Sequence, residues 1–262
     1  MLRFRGDERK EFYVEGKWTM EGEGNKAMPP LALLVGGVAT RLRPITEEIP
    51  KAMIEVAGKP FIAHQLILLK HQGITEVVIC AGYLGEQIQD FVQNGECFGI
   101  NVSYSFDGEK LLGTGGALRK ALSLLGDIFL VMYGDSYLDT NYSPILNYFL
   151  SRDKRGLMTV FRNDNQWDKS NVLFKDGLIH EYNKKSPRPE MKHIDYGLSL
   201  LRREAFTGIP EGKVFDLADL YTKLVGQNDM LGYEVKERFY EIGSPEGLKE
   251  TDGYLLAREH FV

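Results

Sequence analysis

The sequence predicts an α/β fold, a three-layer α/β/α arrangement around a mixed, mainly parallel sheet. Three observations carry this. From residue 31 onward, short apolar runs of strand length alternate with segments of helical spacing, the pattern of parallel strands covered on both faces. Two of those runs stop abruptly on chemistry-bearing residues, LALLV (31–35) at Gly36-Gly37 and IFLVMY (128–133) at Gly134-Asp135. The composition is that of a folded chain: 262 residues, 43% hydrophobic and 26% charged, with 28 glycines. Disordered, collagen-like and fibrous classes are excluded.

The elements follow in order. Residues 1–27 stand apart, with 6 basic and 6 acidic residues and no sustained periodicity. A flexible arm, a short hairpin and an upstream extension of the reading frame all fit them, and Met28 would serve as a start. The folded domain is expected over 28–262. LALLV reads as a buried parallel strand. FIAHQLILLKHQ (61–72) sets Phe61, Ile62, Leu66 and Leu69 at helical spacing, with Gly73 as the stop. EVVICAGY (76–83) reads as strand, LGEQIQDFVQ (84–93) as helix, and NVSYSF (101–106) as strand. TGGALRKALSLL (114–125) is a helix entered through a glycine turn, and DIFLVMYGD (127–135) another buried strand. After residue 150 the rhythm changes. GLMTVFR, NVLFKDGLIHEY and HIDYGLSLL read as strands joined by turns, and FDLADLYTKLVG and PEGLKETDGYLLAREH as helices.

Several function classes drop out. Lys plus Arg number 32 against 37 Asp plus Glu, a net charge of −5, so no basic excess points to nucleic acid or an anionic membrane. No apolar run approaches the roughly 20 residues of a membrane span, and the start has no signal-peptide core. A cytoplasmic protein is expected, as a monomer or homodimer. Cys80 and Cys97 lack metal-ligand spacing, and Cys80 sits in an apolar run as a buried thiol. The five histidines do not cluster, and neither a G-x-S-x-G elbow nor a P-loop is present.

One loop points to phosphate chemistry, against the alternative of an ordinary strand-to-helix turn with two solvated cations. Gly36 and Gly37 follow the first buried strand directly. Ligands collect at the carboxyl ends of strands in such sheets, and glycine loops there offer backbone N–H groups to phosphates. Arg41 adds a planar fork and Lys51 a compact charge, with Pro44 and Pro50 stiffening the loop between them. Asp135, on the last residue of its strand motif, reads as a cap or a Mg²⁺ ligand. A second loop, Gly113-Thr114-Gly115-Gly116-Ala117, leads into a helix; its likeness to a dinucleotide fingerprint fails at Leu118.

The string LVGGVATRLRPITEEIPKAMIEVAGKPFI closely resembles the signature of the sugar-1-phosphate nucleotidyltransferases. The resemblance covers about residues 30–250 and looks most like the small heptose 1-phosphate guanylyltransferase and N-acetylmuramate 1-phosphate uridylyltransferase groups. It implies a Rossmann-like, GT-A-like fold with a nucleotide-binding half (28–142) and a sugar-binding half (143–262). It implies an NTP and a sugar 1-phosphate as substrates, Mg²⁺ as cofactor, and, as the best single reading, GTP with a heptose 1-phosphate. A UTP- or CTP-using member, or a non-catalytic relative, is the alternative.

Residue by residue, the resemblance places Gly36, Gly37, Val38, Ala39 and Thr40 around the triphosphate, with Arg41 and Lys51 as the catalytic cations. Leu-Gly-Thr-Gly-Gly-Ala matches the family segment against base and ribose, so Gly113 and Gly115 are assigned there, and Glu109 is the nearest polar group for the base. Asp135, in Gly-Asp-Ser, is the first metal ligand. Glu241 stands where the family has its second aspartate. On the sugar side Lys185 matches the lysine that meets the sugar phosphate, and Lys184 takes the place of a glutamate. Asp195 replaces an asparagine, and Asn171 and Gly197 line the approach. Ala39 replaces the third loop glycine. A left-handed backbone there would cost about 1–2 kcal/mol.

Overall fold

Residues 11–14, 17–20 and 27–259 are described by the computed structural model. Strands β1 (Glu11–Val14) and β2 (Lys17–Met20) pair antiparallel as a separate ribbon, so the hairpin reading holds for these eight residues. The domain proper begins with β3 (Leu31–Leu34), then α1 (Ile45–Glu48), the two-residue strands β4 (Glu55–Val56) and β5 (Lys59–Pro60), and α2 (Phe61–His71). Next come β6 (Glu76–Ala81), α3 (Gly85–Val92), β7 (Asn101–Phe106), α4 (Gly113–Ala121), β8 (Ile128–Tyr133) and β9 (Ser136–Tyr137). The rest is α5 (Tyr142–Leu150), β10 (Gly156–Arg162), β11 (Val172–Lys175), β12 (Leu178–Tyr182), β13 (His193–Arg202), α6 (Leu217–Gly226), β14 (Met230–Val235), β15 (Tyr240–Glu241) and α7 (Pro245–Glu259).

One nine-stranded sheet runs β10-β14-β12-β11-β13-β8-β3-β6-β7. Its β7-β6-β3-β8 side is parallel throughout. Beyond β8 the sheet becomes mixed, since β13 joins antiparallel and β10 then runs parallel to β14. Leu31, Ala32 and Leu33 are fully buried because helices cover both faces. One core layer gathers Ile62, Leu66 and Leu69 of α2, Ile88 of α3 and Phe149 of α5; the other gathers Leu118 of α4 and Leu220 and Leu224 of α6. A third, smaller cluster of Val56, Phe61, Tyr137, Ile242 and Leu255 fixes the β9–β15 ribbon beneath α7.

The elements foreseen from the sequence are present, with shifted ends. The helix expected over 114–125 stops at Ala121 and tightens into a 3-10 turn, Leu122–Leu124. NVLFKDGLIHEY is one hairpin, turned at Asp176-Gly177, both with positive φ. The chain leaves β3 toward β6 on one side while β8 lies on the other. The carboxyl ends of β3 and β8 therefore flank a topological switch point, where open α/β sheets bind ligands.

Candidate active site

Four charged groups from distant segments meet at that switch point. Lys51 Nζ donates to Asp135 Oδ2 at 2.6 Å. A Cβ built on Gly243 would lie 2.6 Å from Glu241 Oε2, 3.1 Å from Arg41 Nη2 and 3.4 Å from Asp135 Oδ2, so these three side chains converge on one glycine. The ribbon explains the approach of the two carboxylates: β15 pairs with β9, Glu241 opposite Ser136, and Ile242 N–H donates to Asp135 O. Glu241 Oε1 accepts from Ser244 Oγ at 2.7 Å and Oε2 from the Gly243 amide. Ser244 Oγ in turn accepts from Gly247 N–H at 3.0 Å and so caps the start of α7. A Cβ on Gly247 would come 1.9 Å from Oε1, so the Glu241 seat requires glycine. Two adjacent carboxylates with no sulfur or imidazole suit a hard divalent cation that shares its remaining positions with phosphate oxygens. No cluster of three or more metal-ligating side chains occurs among the described residues.

The first glycine loop uses its glycines in two ways. On Gly36 a Cβ would approach Gly82 N to 3.0 Å, whereas on Gly37 it would meet no protein atom within 4 Å. Gly36 is therefore a packing glycine, and Gly37 opens the backbone to a ligand. Ala39 has φ 52° and ψ 49°, the left-handed conformation, held by Thr46 Oγ1 donating to its carbonyl at 2.9 Å. Thr40 and Arg41 lie exposed in the 3-10 turn Thr40–Leu42, and Val38 is half-buried before it.

A cavity of about 230 Å³ extends from Lys51 and Asp135 past Gly36 and Gly37 to Cys80 and Asp107. Asp107 corrects one expectation. Glu109 is exposed and borders a second depression with Asp107, Lys110, Lys120 and Glu211, whereas of the two acids Asp107, the residue just beyond β7 and 8% exposed, is the one that also lines the cavity. Its Oδ2 accepts from Leu112 N–H at 3.0 Å, and its Oδ1 is buried with no hydrogen-bond partner among the described residues. Burial raises its carboxyl above the usual range, opposed by the Leu112 N–H and the Lys120 charge. Burial, with the Asp107 charge behind it, pushes the Cys80 thiol up to about 12, so Cys80 is an inert wall. Only its position at a strand's carboxyl end could have singled out Asp107 in the sequence.

The second glycine loop is also corrected. Gly113 lines the cavity and Gly115 does not. Added Cβ atoms on Gly113, Gly115 and Gly116 would lie 2.6 Å from Phe215 O, 2.3 Å from the Phe215 ring and 2.5 Å from Lys213 O. The Gly115 and Gly116 amides donate to Phe215 O, and Thr114 Oγ1 accepts from Leu217 N at 2.8 Å. This run is glycine-rich because segment 213–217 crosses it at backbone contact, and the protein itself uses the first amides of α4.

The sugar-side residues assemble at the amino end of β13. Asn171 Oδ1 accepts from the Asp195 amide at 3.1 Å. The Asp195 carboxylate accepts from Gly197 N–H at 3.0 Å and Tyr182 OH at 3.1 Å, and Lys184 Nζ stands 3.9 Å away. Burial and the Asp195 charge hold the Tyr182 hydroxyl far above its ordinary value. Gly197 has φ 101° and would bring a Cβ to 3.2 Å from Ser136 Oγ, which ties β13 to the Asp135 turn. Lys185 is exposed, with its backbone N–H on Asn183 Oδ1. The lysine whose ammonium reaches this cluster is Lys184.

Known proteins resemble this chain in sequence and in fold. Residues 32–171 match the family model described as nucleotidyl transferase. The chain is 32% identical over 227 residues to an N-acetylmuramate alpha-1-phosphate uridylyltransferase of Neisseria meningitidis, covering 84% of this chain and 95% of that one. It is 31% identical over 219 residues to a D-glycero-alpha-D-manno-heptose 1-phosphate guanylyltransferase of Campylobacter jejuni, covering 82% and 94%. A crystal structure of a putative glucose-1-phosphate thymidylyltransferase from Bacillus anthracis shares the fold at a TM-score of 0.77 and 20% identity, over 88% of this chain and 96% of that one. The chain belongs to the nucleotidyl transferase family.

Proposed function

We propose that this nucleotidyl transferase joins GTP to a heptose 1-phosphate, releasing pyrophosphate and giving a GDP-sugar in the cytoplasm. The class of reaction, transfer of a nucleoside monophosphate to a sugar 1-phosphate, is that of its relatives. The observation that carries it is the convergence of Arg41, Lys51, Asp135 and Glu241 where β3 and β8 end. A phosphate monoester is largely a dianion near neutral pH, its second pKa being about 6, so the sugar phosphate needs no general base. Its oxygen attacks the α-phosphorus in line, and the bond to the pyrophosphate oxygen breaks. The chain's task is to hold two polyanions together and balance the charge that develops. Lys51 is assigned to the α-phosphate and Arg41 to the leaving pyrophosphate, with Gly37 letting the triphosphate pass close to the backbone. Asp135 and Glu241 would hold Mg²⁺, which when bound supplies charge neutralisation at the phosphate oxygens.

Asp107 supports guanine. The Asp107 side chain lines the cavity, and one of its carboxylate oxygens is buried with no hydrogen-bond partner among the described residues. Guanine offers two adjacent donors, N1–H and the 2-amino group, whereas the single imide N–H of uracil is flanked by two carbonyls that a carboxylate repels. The test is a matrix of four NTPs against a panel of sugar 1-phosphates, read as pyrophosphate release with Mg²⁺. Turnover of the GTP–heptose 1-phosphate pair above all others is expected. Preference for UTP would move the chain toward the uridylyltransferase it resembles, and no turnover in any combination would overturn the enzyme reading.

A further inference from the structure

One fully buried polar side chain touches the Gly134-Asp135 turn and has no part in the chemistry derived above. Gln65 lies in α2 with no exposure to solvent. Its amide nitrogen donates to two backbone carbonyls, Ser136 O at 2.8 Å and Tyr133 O at 3.2 Å. These two residues bracket Gly134 and Asp135 in the chain. Both partners are acceptors only, so the amide must present its NH₂ group to them; its oxygen in that place would face two carbonyl oxygens. The oxygen itself, Oε1, is buried with no hydrogen-bond partner among the described residues. An unpaired buried acceptor costs stability. An apolar side chain of the same shape would therefore suit this place better if packing were its only task.

The turn has several other restraints. Gly134 N–H donates to Leu34 O at 2.9 Å, and a Cβ on Gly134 would come 2.4 Å from Val35 Cγ1, so the turn rests directly on the end of β3. Asp135 O accepts from Ile242 N–H at 2.9 Å. The carboxylate accepts from Lys51 Nζ at 2.6 Å and from Ser136 Oγ at 3.3 Å. None of these contacts holds the peptides on both sides of Asp135 at once. Gln65 does, because two hydrogens on one planar nitrogen tie Tyr133 O and Ser136 O to a common point. The donor is itself fixed: Ile62, Leu66 and Leu69 set α2 into the core, and the neighbouring His64 ring bonds Val56 O at 2.7 Å. An aspartate has one methylene between backbone and carboxylate, so a restrained backbone leaves only two side-chain torsions to direct it.

We propose that Gln65 is a positioning residue of the reaction: its amide staples the Tyr133 and Ser136 carbonyls together and thereby sets the Asp135 carboxylate toward Lys51 and the divalent cation. The assignment rests on the nucleotidyltransfer reading above. It deepens that reading by placing control of the metal-site acid on a helix that does not line the cavity.

The test uses the full chain and three variants. Gln65→Met keeps the volume and removes both donors, and Gln65→Asn keeps the amide on a shorter arm. Gln72→Met is the control, since Gln72 closes the same helix and its Oε1 accepts from Tyr142 N–H at 3.1 Å, outside the cavity lining. The readouts are kcat and both substrate KM values for pyrophosphate release at saturating Mg²⁺, the Mg²⁺ concentration at half-maximal rate, and a crystal structure of Gln65→Met beside that of the wild type. Gln65→Met is expected to lower kcat about 10- to 100-fold, the usual reach of a residue that orients a ligating group. It should raise the half-saturating Mg²⁺ concentration roughly tenfold on the same grounds, with both KM values changed far less than kcat, a split that general loss of folded protein would not produce. Its structure should show Lys51 Nζ and Asp135 Oδ2 parted beyond hydrogen-bond reach, about 3.5 Å. Gln65→Asn should lose less than Gln65→Met, and Gln72→Met should keep kcat and Mg²⁺ dependence within about twofold of wild type. Near-wild-type kcat and Mg²⁺ dependence in Gln65→Met would overturn the proposal, as would equal losses in Gln72→Met or an unmoved Asp135 carboxylate. Should Gln65→Met not fold, Gln65→Asn carries the same comparison, by rate and by structure. If the wild-type chain turned over no substrate pair, the nucleotidyltransfer reading would fall, while the Lys51–Asp135 distance in the variant would still decide whether Gln65 aims Asp135.

Discussion

The site residues of the two halves of the domain are partnered differently, although each half also buries a tyrosine hydroxyl, Tyr133 and Tyr196, with no partner among the described residues. Around the parallel strands β3, β6, β7 and β8, two site groups lack protein partners: a Cβ on Gly37 would meet no protein atom within 4 Å, and Asp107 keeps one buried oxygen unpaired among the described residues. In the mixed half the same kinds of residue satisfy one another. Asp195, Asn171, Tyr182 and Gly197 form a closed network, and Asn163 is fully buried against Ser170 and the Asp168 carbonyl. The lesson is physical. A parallel sheet ends its strands together and leaves loop backbone free for a ligand, whereas antiparallel hairpins fold their polar ends back on each other. Glycines show the same contrast within one half, since Gly37 is open and Gly113, Gly115 and Gly116 are closed by segment 213–217.

That contrast can be broken at graded cost. The largest effect is expected at Lys51, where Lys51→Ala should lower kcat by on the order of 10²–10³ with an unchanged thermal transition; near-normal pyrophosphate release would remove Lys51 from the chemistry. Next comes Gly113, at φ +73° with Phe215 O in the way. Gly113→Ala should cost about 2–4 kcal/mol of stability, from left-handed strain plus overpacking, measurable by denaturant unfolding. Asp107→Asn should reduce the preference for GTP over UTP by about 10- to 100-fold, the worth of a good base-reading contact. Because burial raises the Asp107 carboxyl, it takes up a proton earlier than an ordinary aspartate as pH falls. The GTP KM of the wild type should then rise on acidification through that range, and Asp107→Asn should lack this limb.

Smaller effects sharpen the distinction between open and closed glycines. Gly37→Ala should leave unfolding within about 0.5 kcal/mol of wild type while raising the NTP KM roughly tenfold, the signature of a methyl placed in ligand space. Equal damage to folding at Gly37 and Gly113 would erase the difference. Smallest is Ala39→Gly, which relieves the left-handed alanine but adds freedom to the unfolded chain. A net gain of about 0.5–1 kcal/mol in unfolding free energy is expected.

The sequence by itself determined the alternation of strands and helices, and hence the parallel sheet and its strand-end loops. It singled out Arg41, Lys51 and Asp135 by their places after strand ends, and Glu241 through the family resemblance, and the fold brings these four side chains together. The cost of a left-handed alanine at position 39 argued for a differently shaped loop, yet Ala39 adopts the left-handed conformation with Thr46 Oγ1 on its carbonyl. Only the tertiary structure decided between neighbours. Asp107 and Glu109 lie two residues apart after β7, and Lys184 and Lys185 are adjacent in one turn, yet one of each pair faces the cleft. Nothing local distinguishes them, since side-chain direction in a loop is set by what packs against it: Leu112 and Gly82 for Asp107, Tyr133 and Asp195 for Lys184. The glycines of the second loop were legible as glycines but not as the seat of Phe215, a residue about a hundred positions away. Local patterning encodes which elements form and where they end; contacts distant in sequence choose which side chains the ends present.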